Sequence, residues 1–290
     1  MLTSWFPLVL IYILMNATSK ILTKFIVSSE KVDDIAYSIA FMFGCGLLTL
    51  PLIFFEPIRI PTQPNAWIVF IASCIGYAFC MTLYFYCMKR LEISQVETIG
   101  TSRSIWMMLI GIIAFEEVIT LSKVIGICLI IAAIITVYAR KDALIGLGKN
   151  QFLVLLYAMV ISICYALDKY ALGYFSLVLF QVLIFTIPSF MIGIFFPASV
   201  KKIIPMFKTK RNAILMLVCF FVQAVSVLAL YRAYQIGGQL SIVGPIAQTT
   251  TIVTITAGII ILREFWNLKK KIMGIVMALL GVIFLRFLTF

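Results

Sequence analysis

The residues that could do chemistry in this chain are charges and amides set inside long apolar runs. Lys20 and Lys24 lie late in the first run, Glu97 and Arg103 in the fourth, Asp168 and Lys169 in the sixth and Arg232 in the eighth. A charge at the centre of a membrane helix costs about 2.5–3.5 kcal/mol on insertion scales, so each is expected to face a cavity or a partner. Lys20, Asp168 and Lys169 form the set of most interest: two lysines at matching places in the two halves, with Asp168 offsetting one of them. The competing reading is that these side chains snorkel to the membrane surface or form a structural ion pair.

Polar faces surround these charges. Glu97, Thr101, Ser104 and Met108 follow a helical step of three or four. The matching face of the ninth run carries Gly244 or Pro245, Gln248, Thr251 and Thr254 or Ile255. Gln248 needs partners for both donors and acceptors, which favours a cavity; small and hydroxyl residues equally allow close helix packing. Arg103 and Trp106, one turn apart, could form a stacking platform or an anion clamp, or Trp106 could simply pack outward. Gly244-Pro245 is expected to break the ninth run and free carbonyls for a ligand, or to kink it. Tyr77, Phe79, Tyr84, Phe85 and Tyr86 could line a pocket or form an interfacial belt. With Asn16, Tyr84, Tyr165, Gln223 and Tyr231, the candidate solute-binding set is Asn16, Lys20, Tyr84, Glu97, Thr101, Arg103, Ser104, Trp106, Tyr165, Asp168, Lys169, Gln223, Tyr231 and Gln248.

The elements that must position these residues are membrane helices. The chain is 63% hydrophobic and only 12% charged, against about a quarter charged in a soluble domain, and its mean hydropathy is +1.15. The net charge of +12 sits at the ends of apolar runs, where orientation signals and anionic head groups explain it better than nucleic acid. There is no histidine, which removes the commonest zinc ligand, general base and pH switch. The seven cysteines all lie in apolar runs without CxxC spacing and read as small hydrophobes, not as a metal site or a disulfide framework. No phosphate-cradling or nucleophile-elbow motif occurs, so neither direct ATP use nor soluble hydrolase chemistry is expected, and no cofactor. The first run lacks a signal-peptide pattern and reads as a retained helix.

A span needs roughly 20 apolar residues. On that ruler ten runs qualify: Ser4–Val27, Ile35–Phe55, Ala66–Met88, Ser94–Phe115, Leu121–Ala139, Gln151–Tyr170, Gly173–Phe196, Asn212–Gln235, Leu240–Leu262 and Lys270–Phe287. Glu92 to Gly126 and Gln239 to Gly274 read alike: a polar lead-in, an apolar run with hydroxyls, a carboxylate (Glu116 or Glu117; Glu264), a lysine (Lys123; Lys271) and a glycine. The fold class expected is an all-α membrane protein of ten helices in two inverted five-helix repeats, 1–139 and 151–290, joined by 140–150. An odd number of spans per copy inverts the second copy, and such repeats place a binding site near the midplane at their interface. Lysine and arginine crowd the loops after the odd-numbered runs, which puts both termini outside the cytoplasm.

The stretches "IGIIAFEEVITLSKVIGICLIIAAIITVY" and "GIIILREFWNLKKKIMGIVMALLGVIFL" resemble the glutamate, basic loop, glycine and closing helix of the EamA-type branch of the drug/metabolite transporter superfamily. Lys20 and Lys169 sit where that family often has a lysine. The sequence departs in "IAYSIAFMFG", which lacks the early arginine of the second helix, and in Phe115 and Arg263, which stand where the family has glycine. The resemblance implies secondary transport by alternating access in a bacterial inner or plasma membrane, with the pocket lined by runs one, three, four, six, eight and nine and with cytoplasmic termini. The expected partners are a small-molecule solute, the lipid bilayer and a coupling proton or counter-substrate, with Asp168 or Glu97 as the proton-linked carboxylate. The rival readings are an intramembrane enzyme on a lipid-linked substrate, built on the glutamates beside runs four and nine, and a non-transporting subunit.

Overall fold

In hydrocarbon no water takes over the backbone's hydrogen bonds, so a spanning chain pairs them within each segment, as helix. The computed structural model describes residues 4–27, 32–91, 93–100, 102–138, 148–254 and 268–287, and among these there is no strand. The helices are α1 (Trp5–Val27), α2 (Asp34–Thr49, extended by a 3-10 turn over Leu50–Phe55), α3 (Pro64–Arg90), α4 (Ile93–Gly100), α5 (Arg103–Phe115) and α6 (Leu121–Tyr138). They continue as α7 (Lys149–Ala171), α8 (Leu177–Phe195), the short α9 (Pro197–Val200) and α10 (Ile203–Met206), α11 (Lys210–Gln235), α12 (Leu240–Gln248) and α13 (Leu268–Phe287). Six helices are long and apolar enough to cross a membrane, and four shorter apolar ones, Arg103–Phe115, Leu121–Ala133, Leu240–Thr254 and Val276–Leu285, occupy the remaining runs. The all-α, ten-helix expectation therefore holds.

Two spans are discontinuous. The fourth run is interrupted between α4 and α5, where the Ser102 amide reaches back only to Ile99 O at 3.1 Å. The ninth is interrupted at Thr249, whose amide bonds to Ile246 O at 3.0 Å, and helix resumes to Thr254. The break expected at Gly244-Pro245 is not there: both residues lie inside α12. Gly244 serves packing instead. A Cβ on it would stand 2.5 Å from Met107 Sδ, so glycine is what lets α12 lie against α5.

The packing pairs the halves systematically. α1 packs on α11, α3 on α7, α2 on α8, α5 on α12 and α6 on α13. In span order these are one with eight, three with six, two with seven, four with nine and five with ten. Exchanging the halves maps this set onto itself, as a two-fold relation requires. α6 and α13 cross where backbones nearly touch: a Cβ on Gly126 would come within 2.9 Å of Gly281 O, and one on Gly281 within 2.8 Å of Gly126 O. Small residues at such crossings let membrane helices gain dispersion contact.

Carboxylates join the halves at the helix ends. Glu56 accepts from the Leu177 and Val178 amides at 3.3 and 2.7 Å, so the loop after α2 caps α8. Glu117 caps α12 in the same way, through the Leu240 and Ser241 amides at 2.8 and 2.9 Å. A helix start leaves amides without partners, and an anion there is favoured by the helix dipole as well. At the opposite, basic end, Asp33 caps α2 through the Ala36 amide at 3.0 Å and pairs with Lys202 at 2.6 Å, while Asp34 pairs with Arg90 at 2.7 Å.

Glu116 ends α5 with φ 52° and ψ 32°, the left-handed region. That conformation costs a residue with a Cβ roughly 1–2 kcal/mol, and Glu116 is exposed. Glu116→Gly should therefore raise the melting temperature of the detergent-solubilised protein, whereas Gly126→Val should lower it by several degrees; thermal unfolding followed by tryptophan fluorescence reads both.

Candidate solute-binding site

A column of polar side chains runs between the two halves. Towards the basic end, Lys20 Nζ donates to Glu97 Oε2 at 2.7 Å, and Thr251 Oγ1 donates to the same oxygen at 2.8 Å. Glu97 is only 2% exposed. This contact ties α1, α4 and the continuation of the ninth span together. Lys20 thus neither snorkels nor lies beside Asp168. One turn on, Lys24 donates to Met88 O at 3.2 Å.

Arg103, the first residue of α5 after the break, is buried. Its Nε donates to Gly100 O at 3.0 Å and a terminal nitrogen to Tyr157 Oη at 3.4 Å, with the guanidinium 5.6 Å from that ring's centroid. Tyr84 packs against Tyr157 at 5.2 Å, and Tyr12 and Tyr165 lie close enough to share Arg103's field. Of the readings open for Arg103 and Trp106, the stacking platform does not form: Arg103 turns to Tyr157 of α7, and Trp106 is half-buried on α5. Ser104 is fully buried, and its hydroxyl has no partner among the described residues. Thr101, Ile255 and Glu264 lie outside the described residues.

Asn16 Nδ2 donates to Gln223 Oε1 at 3.4 Å, joining α1 to α11, and Gln248 is buried on α12. Asp168, fully buried on α7, accepts from Ser73 Oγ at 2.6 Å, Tyr77 Oη at 2.6 Å and Tyr231 Oη at 2.8 Å. No described cation forms an ion pair with it. The expectation that Asp168 offsets a lysine is therefore corrected: three hydroxyls from α3 and α11 hold it. Of the aromatic residues of the third run, Tyr77, Tyr84 and Phe85 face inward, while Phe79 is 47% exposed and Tyr86 lies under Arg90, 3.5 Å from ring to guanidinium.

Lys169, next to Asp168, faces another way. Its Nζ donates to Glu117 Oε1 at 2.7 Å and lies 4.4 Å from the Phe115 ring centroid. Lys123 completes the cluster by donating to Val118 O at 2.7 Å and Gln239 Oε1 at 2.8 Å. The choice between Glu116 and Glu117 is thus decided for Glu117. Burial alone would push its carboxyl up; the Lys169 ammonium and the Ser241 amide outweigh that and hold it below the ordinary glutamate range. Both its oxygens are engaged in capping and pairing.

The column draws its polar groups from spans one, three, four, six, eight and nine. Tyr12, Ser73 and Tyr157 were missed from sequence. The signal was present for two of them: Ser73 and Tyr77 are one helical turn apart, and Tyr157, Tyr165 and Asp168 share one face of α7.

Charged and aromatic groups buried between two matched sets of helices define a multi-pass membrane protein with an internal polar site. Residues 3–139 match the model of the EamA-like transporter family. Residues 3–139 thus belong with that family, within the drug/metabolite transporter superfamily. A search of curated proteins returns no match. A solved crystal structure, described only as that of a protein, is similar in fold with a TM-score of 0.73 at 12% identity, over 97% of this chain and 96% of the other. That likeness speaks to the fold alone.

Removing one partner of a buried ion pair costs about 3–5 kcal/mol, because the other charge is stranded. Glu117→Ala should accordingly destabilise the protein strongly, and adding Lys169→Ala should recover part of the loss in thermal unfolding. Because the Glu117 pKa is depressed, its contribution is complete above the ordinary glutamate range and is lost as pH falls through its lowered value.

Proposed function

We propose that this chain is a secondary transporter that moves a small polar or amphipathic metabolite across the inner or plasma membrane by alternating access. The moving parts are the five-helix units 1–139 and 151–290, joined by 140–150. The solute lies between them, against Asn16, Tyr84, Arg103, Ser104, Trp106, Tyr165, Gln223 and Gln248, with Lys20 and Lys169 balancing charge.

The observation that carries this reading is the state of the two inner carboxylates. Glu97 is committed to Lys20, so protonating it would strand an ammonium in the interior. Asp168 has only hydroxyl donors, from Ser73, Tyr77 and Tyr231. It can gain or lose a proton without leaving a cation unpaired, and those hydroxyls can rotate to accept from the acid form. A titratable group of that kind beside a polar column is what proton coupling needs, so Asp168 is the coupling residue and Glu97 the structural one.

Flux into proteoliposomes at imposed pH gradients tests this. Asp168→Asn, similar in shape and unable to titrate, should bind solute yet lose the pH dependence of transport. Glu97→Gln should instead impair folding or all flux alike. Full pH-dependent flux in Asp168→Asn would overturn the assignment.

A further inference from the structure

A groove on the outer surface, away from the polar column, has the shape of a lipid site. It lies between α3, α7 and α8 and encloses about 550 Å³. Ile75, Ala78, Thr82 and Leu83 form one wall and Met191 and Phe195 the other. The Thr82 hydroxyl is already used, donating to Ala78 O at 2.8 Å, so the wall presents almost no free polar group. Ile75, Phe79 and Phe195 are well exposed, which opens the groove sideways towards the bilayer.

Its depth and charge select an occupant. From Ile75 to Tyr86, both on the groove wall, α3 rises about 16 Å at 1.5 Å per residue. One leaflet is half of a hydrocarbon core of about 30 Å. The groove therefore runs from one surface to about the midplane. Lys149 stands at its surface end, and among the described residues its side chain has no hydrogen bond or ion pair. Arg90, over the Tyr86 ring on the groove wall, is occupied by its pair with Asp34. Among the described lining residues the Lys149 ammonium is thus the unengaged cation at the groove mouth, and it sits where a phosphate would, above a slot one acyl chain deep.

We propose that this groove binds one chain of an anionic phospholipid, with the phosphate held by Lys149. Each lysine near an anionic headgroup contributes roughly a fivefold preference. Native mass spectrometry of the detergent-purified full chain, titrated with phosphatidylglycerol or phosphatidylcholine of equal chain length, tests it. Phosphatidylglycerol should occupy the site about fivefold better. Lys149→Glu should bring it to or below the phosphatidylcholine level, and Ala78→Trp, which fills the slot, should weaken both lipids. Lys210→Glu, a charge reversal on the same face outside the groove, should change neither. Equal binding of the two lipids, unchanged binding in Lys149→Glu, or full displacement of the lipid by inorganic phosphate would overturn the proposal; the last would mark a free-anion site.

Discussion

An ammonium held inside hydrocarbon needs a partner, and two lysines of this protein's interior meet carboxylates from the first half of the chain. Lys20 finds Glu97 on α4, and Lys169 finds Glu117 just past α5. These lysines occupy matching places in the two halves, so a symmetric solution was available. It is not used at Glu97, because the second half carries no carboxylate at the position that answers to it. The position answering to Glu97 is Gly244 or Pro245, and Gly244 is needed bare so that α12 can approach Met107. Close packing at the crossing of spans four and nine therefore dictates where charge can be placed, and charge placement dictates which helices are tied together.

The interruption of the fourth span falls between its two ion pairs. On one side α4 is anchored through Glu97 to α1 and to Thr251; on the other α5 leads to Glu117, which holds α7 and the start of α12. Arg103 bridges the interruption by donating back to Gly100 O. A continuous helix would transmit any tilt at one end directly to the other. Two segments joined by a turn can tilt separately.

Much of the fold was legible because lipid leaves the chain few choices. Length and apolar composition located the ten helices, and the glutamate–lysine–glycine spacing identified the family. Side-chain partnering was legible only in part. The charges in apolar runs were marked as needing partners, and the structural ion pair weighed for the lysines is what Lys20 and Lys169 form; the arrangement weighed beside it, Asp168 offsetting a lysine, does not occur, since neighbours in sequence point to different faces of α7. Periodicity gives the face of a residue, not the identity of what lies across from it; Tyr157 under Arg103 depends on how α5 crosses α7. The break in the ninth span was misplaced because proline was weighed by its missing amide, whereas the glycine beside it was there for space.

The uneven distribution of charge has a consequence for how the two copies could diverge. Glu97 on α4 and Glu117 just past α5 hold the two described counter-ions of Lys20 and Lys169. Among the described residues, the ninth span is constrained by volume at Gly244 and by the hydroxyl of Thr251. The fourth is limited by electrostatics as well, at two points that answer to different neighbours. Substitution is in this way constrained unevenly: by charge and volume together on the fourth span and the loop after it, and by volume and a hydroxyl at the described residues of the ninth.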